Sequence, residues 1–329
     1  MEFATVGTSW ITSKFIDASK KVNGIKYLAV YSRTEEKASK FKEKHGAEYI
    51  FTDLDDMAKD DKIDIVYIAS PNSLHFEHVI KFLKNKKHVI CEKPIFSNIN
   101  QFVEAYKVAK ENDVYLFEAF KNIHLPAFKK LKEEINTIGD ISSAYFHRVR
   151  YSSKMDEYLS GNIPNVFLPK FSGGAIVDLG VYPIALAVSL FGKPKSINYF
   201  PILLKTGVDG SGTLVLKYDK LICTIMCSKT ATSFRDSEIH GGNGTISIND
   251  VGSLSNIEKI DRKNKAVNMI NDIDYENNMK FEIEEFIRII KERDNERYDG
   301  LKEISQNVLS ITEEARKQNN IIFYPPISK

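Results

Sequence analysis

Cysteine is scarce in this chain. Its 3 cysteines, Cys91, Cys223 and Cys227, provide neither a disulfide framework nor a metal-ligating spacing. Cys223 and Cys227 fall in the apolar run Leu221 to Cys227, where free thiols read as small buried hydrophobes. Such usage fits a cytoplasmic compartment. An excess of one charge sign is also missing. Against 46 basic residues stand 44 acidic ones, a formal net charge of +2. No basic field exists to hold nucleic acid by counterion release. No run approaches the roughly 18 apolar residues of a membrane helix. The first residues, Met1 to Gly7, lack the basic and long apolar regions of a secretion signal. Neither a nucleic-acid nor a membrane partner is expected, and the protein is expected to be soluble and cytoplasmic.

What is present is an ordinary globular composition, 43% hydrophobic and 27% charged, over 329 residues. That length suits two domains better than one core. The first part alternates short apolar runs with amphipathic segments. Strands are expected at Phe3–Val6, Lys26–Ser32, Ile63–Ser70, Lys87–Cys91 and Val114–Phe117. Helices are expected between them at Thr34–His45, between a Thr34 N-cap and Gly46, and at His75–Lys84 and Ser97–Asn112, each of these two with an apolar stripe. Strand–helix alternation predicts a doubly wound parallel α/β sheet over residues 1–121. Beyond, over 122–329, the pattern changes. One helix (about Pro126–Ile135) precedes longer strands at Ile141–Arg150, Ser196–Leu204, Thr213–Tyr218, Leu221–Ser228 and Phe234–His240. Tyr218-Asp219-Lys220 links two of them as a hairpin. A helix at about Gly174–Phe191 interrupts them, and two more close the chain, at about Asn278–Arg293 and Gly300–Lys317. This predicts an α+β domain with a large, mostly antiparallel sheet.

Val6-Gly7-Thr8-Ser9-Trp10-Ile11-Thr12 follows the first strand and opens a helix. A dinucleotide-binding fold places G-x-G-x-x-G there. Gly7 keeps the tight turn, while Ser9 and Thr12 replace the second and third glycines. The helix N-terminus still offers free N–H groups to a pyrophosphate, so Gly7, Thr8, Ser9, Trp10 and Ile11 are candidate cofactor residues. At the end of the second strand, NAD enzymes place a carboxylate that accepts from the ribose 2′-hydroxyl. Here the chain reads Tyr31-Ser32-Arg33-Thr34. Ser32 and Arg33 suit a 2′-phosphate, which favours NADP, with NAD as the remaining option.

Two strand ends carry a resemblance. Ala69-Ser70-Pro71-Asn72-Ser73-Leu74-His75 resembles the T-P-N-x-x-H motif of the Gfo/Idh/MocA oxidoreductases, and Cys91-Glu92-Lys93-Pro94 resembles their E-K-P motif. Ser172-Gly173-Gly174-Ala175-Ile176-Val177-Asp178-Leu179-Gly180-Val181-Tyr182-Pro183 is similar to their G-G-G-x-x-x-D-x-G-x-H/Y segment. The tyrosine form, with Ser32-Arg33 and Glu118-Ala119 before Pro126, resembles the branch of dimeric dihydrodiol dehydrogenases and NADP-dependent xylose dehydrogenases. Between Ala119 and Pro126 stand Phe120-Lys121-Asn122-Ile123-His124-Leu125, which depart from the aromatic and arginine pattern usual in that branch and include no arginine. The resemblance implies that Ser70, Pro71, Asn72, His75, Glu92 and Lys93 line the nicotinamide half of the site. It also implies a homodimer through the C-terminal sheet.

Oxidising a carbinol requires removal of the hydroxyl proton as hydride leaves carbon. Lys93, Asp178 and Tyr182 are the expected catalytic group. A free tyrosine, with a pKa of about 10, is a poor base near neutrality, and a neighbouring ammonium such as that of Lys93 favours the phenolate. Asp178 precedes Tyr182 by one helical turn and shares its face, where it can bond substrate, orient Lys93 or cap the helix. Arg148, Arg150, Tyr151, Phe167 and Phe171 are candidates for binding a small sugar, polyol or dihydrodiol. His75 and His78 have metal-like spacing but no third ligand, and no metal is expected. Loss of the glycines at Ser9 and Thr12 keeps open a second reading, a nucleotide-bound regulator without catalysis.

Overall fold

The computed structural model describes residues 1–323. Two compact units divide the chain. One holds residues 1–119 and 277–306, the other 120–276 and 307–323. The expected boundary at 121/122 falls two residues past the first division. A single division leaves out the return of 277–306 to the first unit, and residues 324–329 of the expected second domain lie outside the described residues.

The first unit opens with β1 (Glu2–Val6), α1 (Trp10–Ser19), β2 (Lys26–Tyr31), α2 (Glu35–His45), β3 (Tyr49–Phe51) and α3 (Leu54–Lys59). It continues with β4 (Ile65–Ile68), α4 (His75–Lys84), β5 (His88–Glu92), α5 (Ile99–Glu111) and β6 (Leu116–Ala119). The 6-stranded sheet runs β3-β2-β1-β4-β5-β6, every pair parallel. Strands β4 and β6 are buried throughout, as a sheet covered on both faces requires. The strand order reverses between β1 and β4. Sheets of this kind bind ligands outside the carboxyl ends of the strands at such a switch point.

The second unit begins with α6 (Pro126–Glu134), β7 (Ile141–Val149) and α7 (Met155–Leu159). A wide π turn over Ile176–Gly180 then runs straight into α8 (Val181–Phe191). One uninterrupted α-helix was the expectation here. Pro183 supplies a physical reason for the difference, because it has no N–H for the Leu179 carbonyl and its ring would crowd that group. Strands β8 (Ser196–Leu203), β9 (Asp209–Lys217), β10 (Ile222–Ser228), β11 (Ser237–Gly241), β12 (Gly244–Ile248), β13 (Ile257–Asp261) and β14 (Val267–Asn271) follow. The 8-stranded sheet has the order β14-β13-β12-β11-β7-β10-β9-β8. Its neighbours are antiparallel except β7 and β10, which run parallel. The expected hairpin joins β9 and β10, with Tyr218 N–H donating to the Leu221 carbonyl at 3.0 Å.

One face of the large sheet packs on α8, with Phe146, Leu214, Leu216 and Ile225 fully enclosed. Cys223 and Cys227 are buried and free in that layer. Against the expectation that no run comes near a membrane span, Pro169–Phe191 is long and apolar enough by length and composition. Its most apolar window, however, is 72% buried inside the protein, as in the core helix of a soluble protein.

The closing helices are α9 (Lys280–Glu292) and α10 (Asn295–Lys317). Helix α9 returns to the first unit, where Phe286 stacks on Phe117 of β6 at 4.4 Å between ring centres. The Tyr298 ring meets Tyr115 edge-on at 4.8 Å.

Candidate active site

In the first unit, three loops gather at the carboxyl ends of β1, β4 and β5. Gly7 follows β1 with φ of +112°, a conformation that favours glycine. A Cβ there would stand 2.7 Å from the Ala69 carbonyl oxygen of the next loop, so the turn has room for glycine alone. Ser9 sits at the N-cap of α1, but its hydroxyl lies 3.2 Å from that of Thr12 and makes no cap bond. The replaced glycine positions thus hold each other and leave the first N–H groups of α1 to an anion. No acidic residue lies in the first turn. Trp10 is exposed beside this end. These residues fit a dinucleotide pyrophosphate.

Ser32 and Arg33 follow β2. Ser32 is buried and its N–H donates to the Phe51 carbonyl at 3.1 Å, while Arg33 is exposed. Thr34 occupies the N-cap of α2 without a side-chain cap bond.

The Ser70 and Pro94 loops are joined through one imidazole. His75 Nδ1 lies 2.9 Å from the Pro94 carbonyl oxygen and Nε2 lies 2.9 Å from that of Ser70. His75 is 1% exposed and lies between the two motif loops, its single N–H donating to one of the two carbonyls in the neutral ring and to both only in the protonated ring. Burial lowers its pKa, opposed by the bonds to Pro94 and Ser70. His78 Nδ1 meets the Ser70 hydroxyl at 3.0 Å, and burial brings its pKa down to about 4. Both histidines therefore serve the Ser70 loop, and among the described residues no group of three metal-ligating side chains occurs.

Glu92, at the end of β5, accepts from the Tyr67 hydroxyl at 2.6 Å, and Tyr67 is itself stacked on Phe15. Lys93 follows, half-buried, with a cis peptide to Pro94. Glu118 of β6 braces the same turn. It accepts from Ile95 N–H at 2.9 Å and from the Ser305 hydroxyl. Burial raises its pKa to about 8, against those two bonds.

The second unit carries Asp178 in the π turn and Tyr182 at the start of α8. Gly174 has φ of +133°, and a Cβ there would collide with the Asp209 carboxylate. That carboxylate, from β9, accepts from Ile176 N–H at 2.7 Å and from the Tyr199 hydroxyl at 2.6 Å. Burial raises its pKa. Asp209 therefore holds the start of this helix, one of the duties open to Asp178 on sequence alone. The Asp178 carboxylate instead forms an ion pair with Lys229, the residue after β10.

Tyr182 is half-buried, and its carbonyl accepts from Asn122 Nδ2 at 3.2 Å. The Arg148 guanidinium lies 4.6 Å from the Tyr182 ring centre. Arg148 also donates to Asp250 at 2.6 Å, and Arg150 pairs with the other Asp250 oxygen. A cavity of about 320 Å³ opens beside them, walled by Thr232, Ser233 and Phe234. Of the other binding candidates, Phe167 is fully buried and lies 5.5 Å from the Lys229 ammonium. Tyr151 is exposed and bonds Asp156, while Phe171 carries Lys170 over its ring.

Comparison with known proteins matches this arrangement in both units. The model of an oxidoreductase family with an NAD-binding Rossmann fold covers residues 1–120, and that of the GFO/IDH/MocA C-terminal domain covers 128–247. The chain belongs to the Gfo/Idh/MocA oxidoreductase family. A scyllo-inositol 2-dehydrogenase (NADP(+)) of Bacillus subtilis is 41% identical over 98% of both chains. A trans-1,2-dihydrobenzene-1,2-diol dehydrogenase of Xenopus tropicalis is 27% identical over 72% of each. The fold is shared with a 3-ketoreductase of Actinomadura kijaniata in complex with NADP and TDP-benzene, at a TM-score of 0.86, 20% identity and 99% coverage of both chains. As a member of this family the protein is an oxidoreductase with a dinucleotide-binding unit, and the expected parallel and mostly antiparallel sheets are both present.

Lys229 and Asp209 are the site residues that sequence reading passes over. Lys229 directly follows an apolar strand, and a charged residue there is the one signal that could have drawn attention to it. Asp209 sits in Asp209-Gly210-Ser211-Gly212, which reads as a turn but begins β9.

Proposed function

We propose that the protein is a cytoplasmic NADP-dependent dehydrogenase that oxidises a ring carbinol of a small polyol, with inositols the first class to try. The observation that carries the cofactor choice is the end of β2, where Ser32 and Arg33 stand in place of a carboxylate. A carboxylate there would repel a 2′-phosphate, whereas a guanidinium attracts it. The substrate class is supported by the 41% identity to an inositol dehydrogenase that uses NADP. Sugars and dihydrodiols are the neighbouring classes.

When bound, the nicotinamide supplies the hydride acceptor. The chain supplies binding, orientation and proton transfer. Gly7 and the N-terminus of α1 receive the pyrophosphate. Ser70, Pro71, Asn72 and Glu92 receive the nicotinamide half, in loops clamped by His75. Tyr182 takes the hydroxyl proton, Lys93 holds the reacting oxygen, and Asp178 accepts from a substrate hydroxyl. In steady-state assays with scyllo-inositol, myo-inositol, aldoses and dihydrodiols, NADP should be reduced with at least one inositol. Tight NADPH binding without turnover on any of them would favour the regulator reading instead.

The open face of the large sheet suits a second copy of this chain. Phe200 and Ile202 of β8 and Val267 and Met269 of β14 are at least half exposed there. Met226 stands opposite Thr213, which stands opposite Phe200. An apolar sheet face needs cover. Light scattering should give a dimer mass, and Phe200→Glu with Ile202→Glu should give a monomer.

A further inference from the structure

Lys229 is 2% exposed, a rare place for a lysine. Its backbone is fixed on both sides, since its N–H donates to the Gly210 carbonyl at 2.8 Å and its own carbonyl accepts from Ser152 N–H at 2.9 Å. The stem is therefore delivered to one place. There the ammonium lies against the face of Phe167 and on the Asp178 carboxylate. Burying an ammonium is costly unless it is paired. Asp178 is about one-third exposed, so the pair joins a wholly buried cation to a carboxylate that still reaches solvent.

The parallel pairing of β7 and β10 gives this position its meaning. Cys227 stands beside Arg148 and Ser228 beside Val149. The two strands thus end together, and each delivers a cation to the helix above. Arg148 lies on the Tyr182 ring and Lys229 on the Asp178 carboxylate. Asp178 and Tyr182, both proposed for chemistry, are each held by a basic side chain from the only parallel pair among the described strands of that sheet.

We infer that Lys229 is a positioning residue. Its ammonium fixes the Asp178 carboxylate in one orientation so that the carboxylate accepts a substrate hydroxyl. This rests on the reading of Asp178 as a substrate-binding residue. Lys229 acts through Asp178 and touches neither substrate nor cofactor.

The test compares Asp178→Asn, Lys229→Met, Lys229→Arg and the double variant Asp178→Asn/Lys229→Met in turnover of an inositol, with NADPH binding measured by fluorescence. Lys229→Met should lose about 100-fold in kcat/KM, the scale of a misplaced catalytic group. NADPH affinity should stay at the wild-type value. Lys229→Arg should recover most of the loss, and the double variant should be no slower than Asp178→Asn. Wild-type turnover in Lys229→Met beside a crippled Asp178→Asn overturns the inference alone. Wild-type turnover in Asp178→Asn overturns the reading of Asp178 itself. Should Lys229→Met fail to fold, the double variant strands no charge and decides the matter. Turnover more than about tenfold below that of Asp178→Asn would mean that Lys229 acts by another route.

Discussion

The Arg148 guanidinium lies over the Tyr182 ring at 4.6 Å from its centre, and the same guanidinium is tied to Asp250 at 2.6 Å. The ring is thus held from its face by a cation that is itself anchored. Arg148→Met should lower kcat by about tenfold with little change in NADPH affinity, the worth of one desolvated cation–π contact. Steady-state kinetics on the purified variant check this. An unchanged kcat would show that Arg148 has no part in holding Tyr182 for proton transfer.

Gly7 gives a second expectation. Its φ of +112° opposes any side chain, and so does the Ala69 carbonyl oxygen, which would stand 2.7 Å from an added methyl. Gly7→Ala should weaken NADPH binding by more than about tenfold, through backbone strain and displacement of the loop. Fluorescence titration measures it directly.

The clamp at His75 predicts a combined defect. His75→Leu leaves the Ser70 and Pro94 carbonyls without their imidazole, which should cost about 1–3 kcal/mol of stability. Urea unfolding reports that loss. NADPH affinity should fall with it, because both loops belong to the proposed cofactor site. Loss of stability with full retention of affinity would separate the clamp from the site.

Glu118 predicts a pH dependence with a definite sign. Its pKa is raised by burial from an ordinary 4.5 to about 8. Between those values the folded protein keeps a proton that the unfolded chain has released. The contribution to stability therefore falls as pH rises through that window and levels off above it. Relative to Glu118→Gln, the wild-type protein should lose stability progressively from about pH 5 to pH 8. Parallel urea midpoints for the two proteins across that range would contradict the raised pKa.

Much of the fold was legible because periodicity and local chemistry agreed with tertiary structure. The apolar stripe of Phe76, Val79, Ile80 and Leu83 predicts a helix at His75–Lys84, and α4 has those bounds. Strands β12, β13 and β14 were not legible. Ile257–Asp261 and Val267–Asn271 carry charged or polar residues on a partly solvated face and are short. The start of β9 was hidden by Gly210 and Gly212, which read as turn residues. Gly212 is instead required by packing, because a Cβ there would collide with the Tyr199 ring. The motif residues of the site stood out at strand ends. Their partners did not, since Lys229, Asp209 and Ser305 are brought to Asp178, Ile176 and Glu118 only by long-range folding.

The most direct measurement is kcat/KM for scyllo-inositol with saturating NADP and with saturating NAD. NADP should be reduced with a clear preference over NAD, because Ser32 and Arg33 are the residues proposed to receive the 2′-phosphate. Turnover of no inositol with either cofactor, or a preference for NAD, would contradict the proposed function.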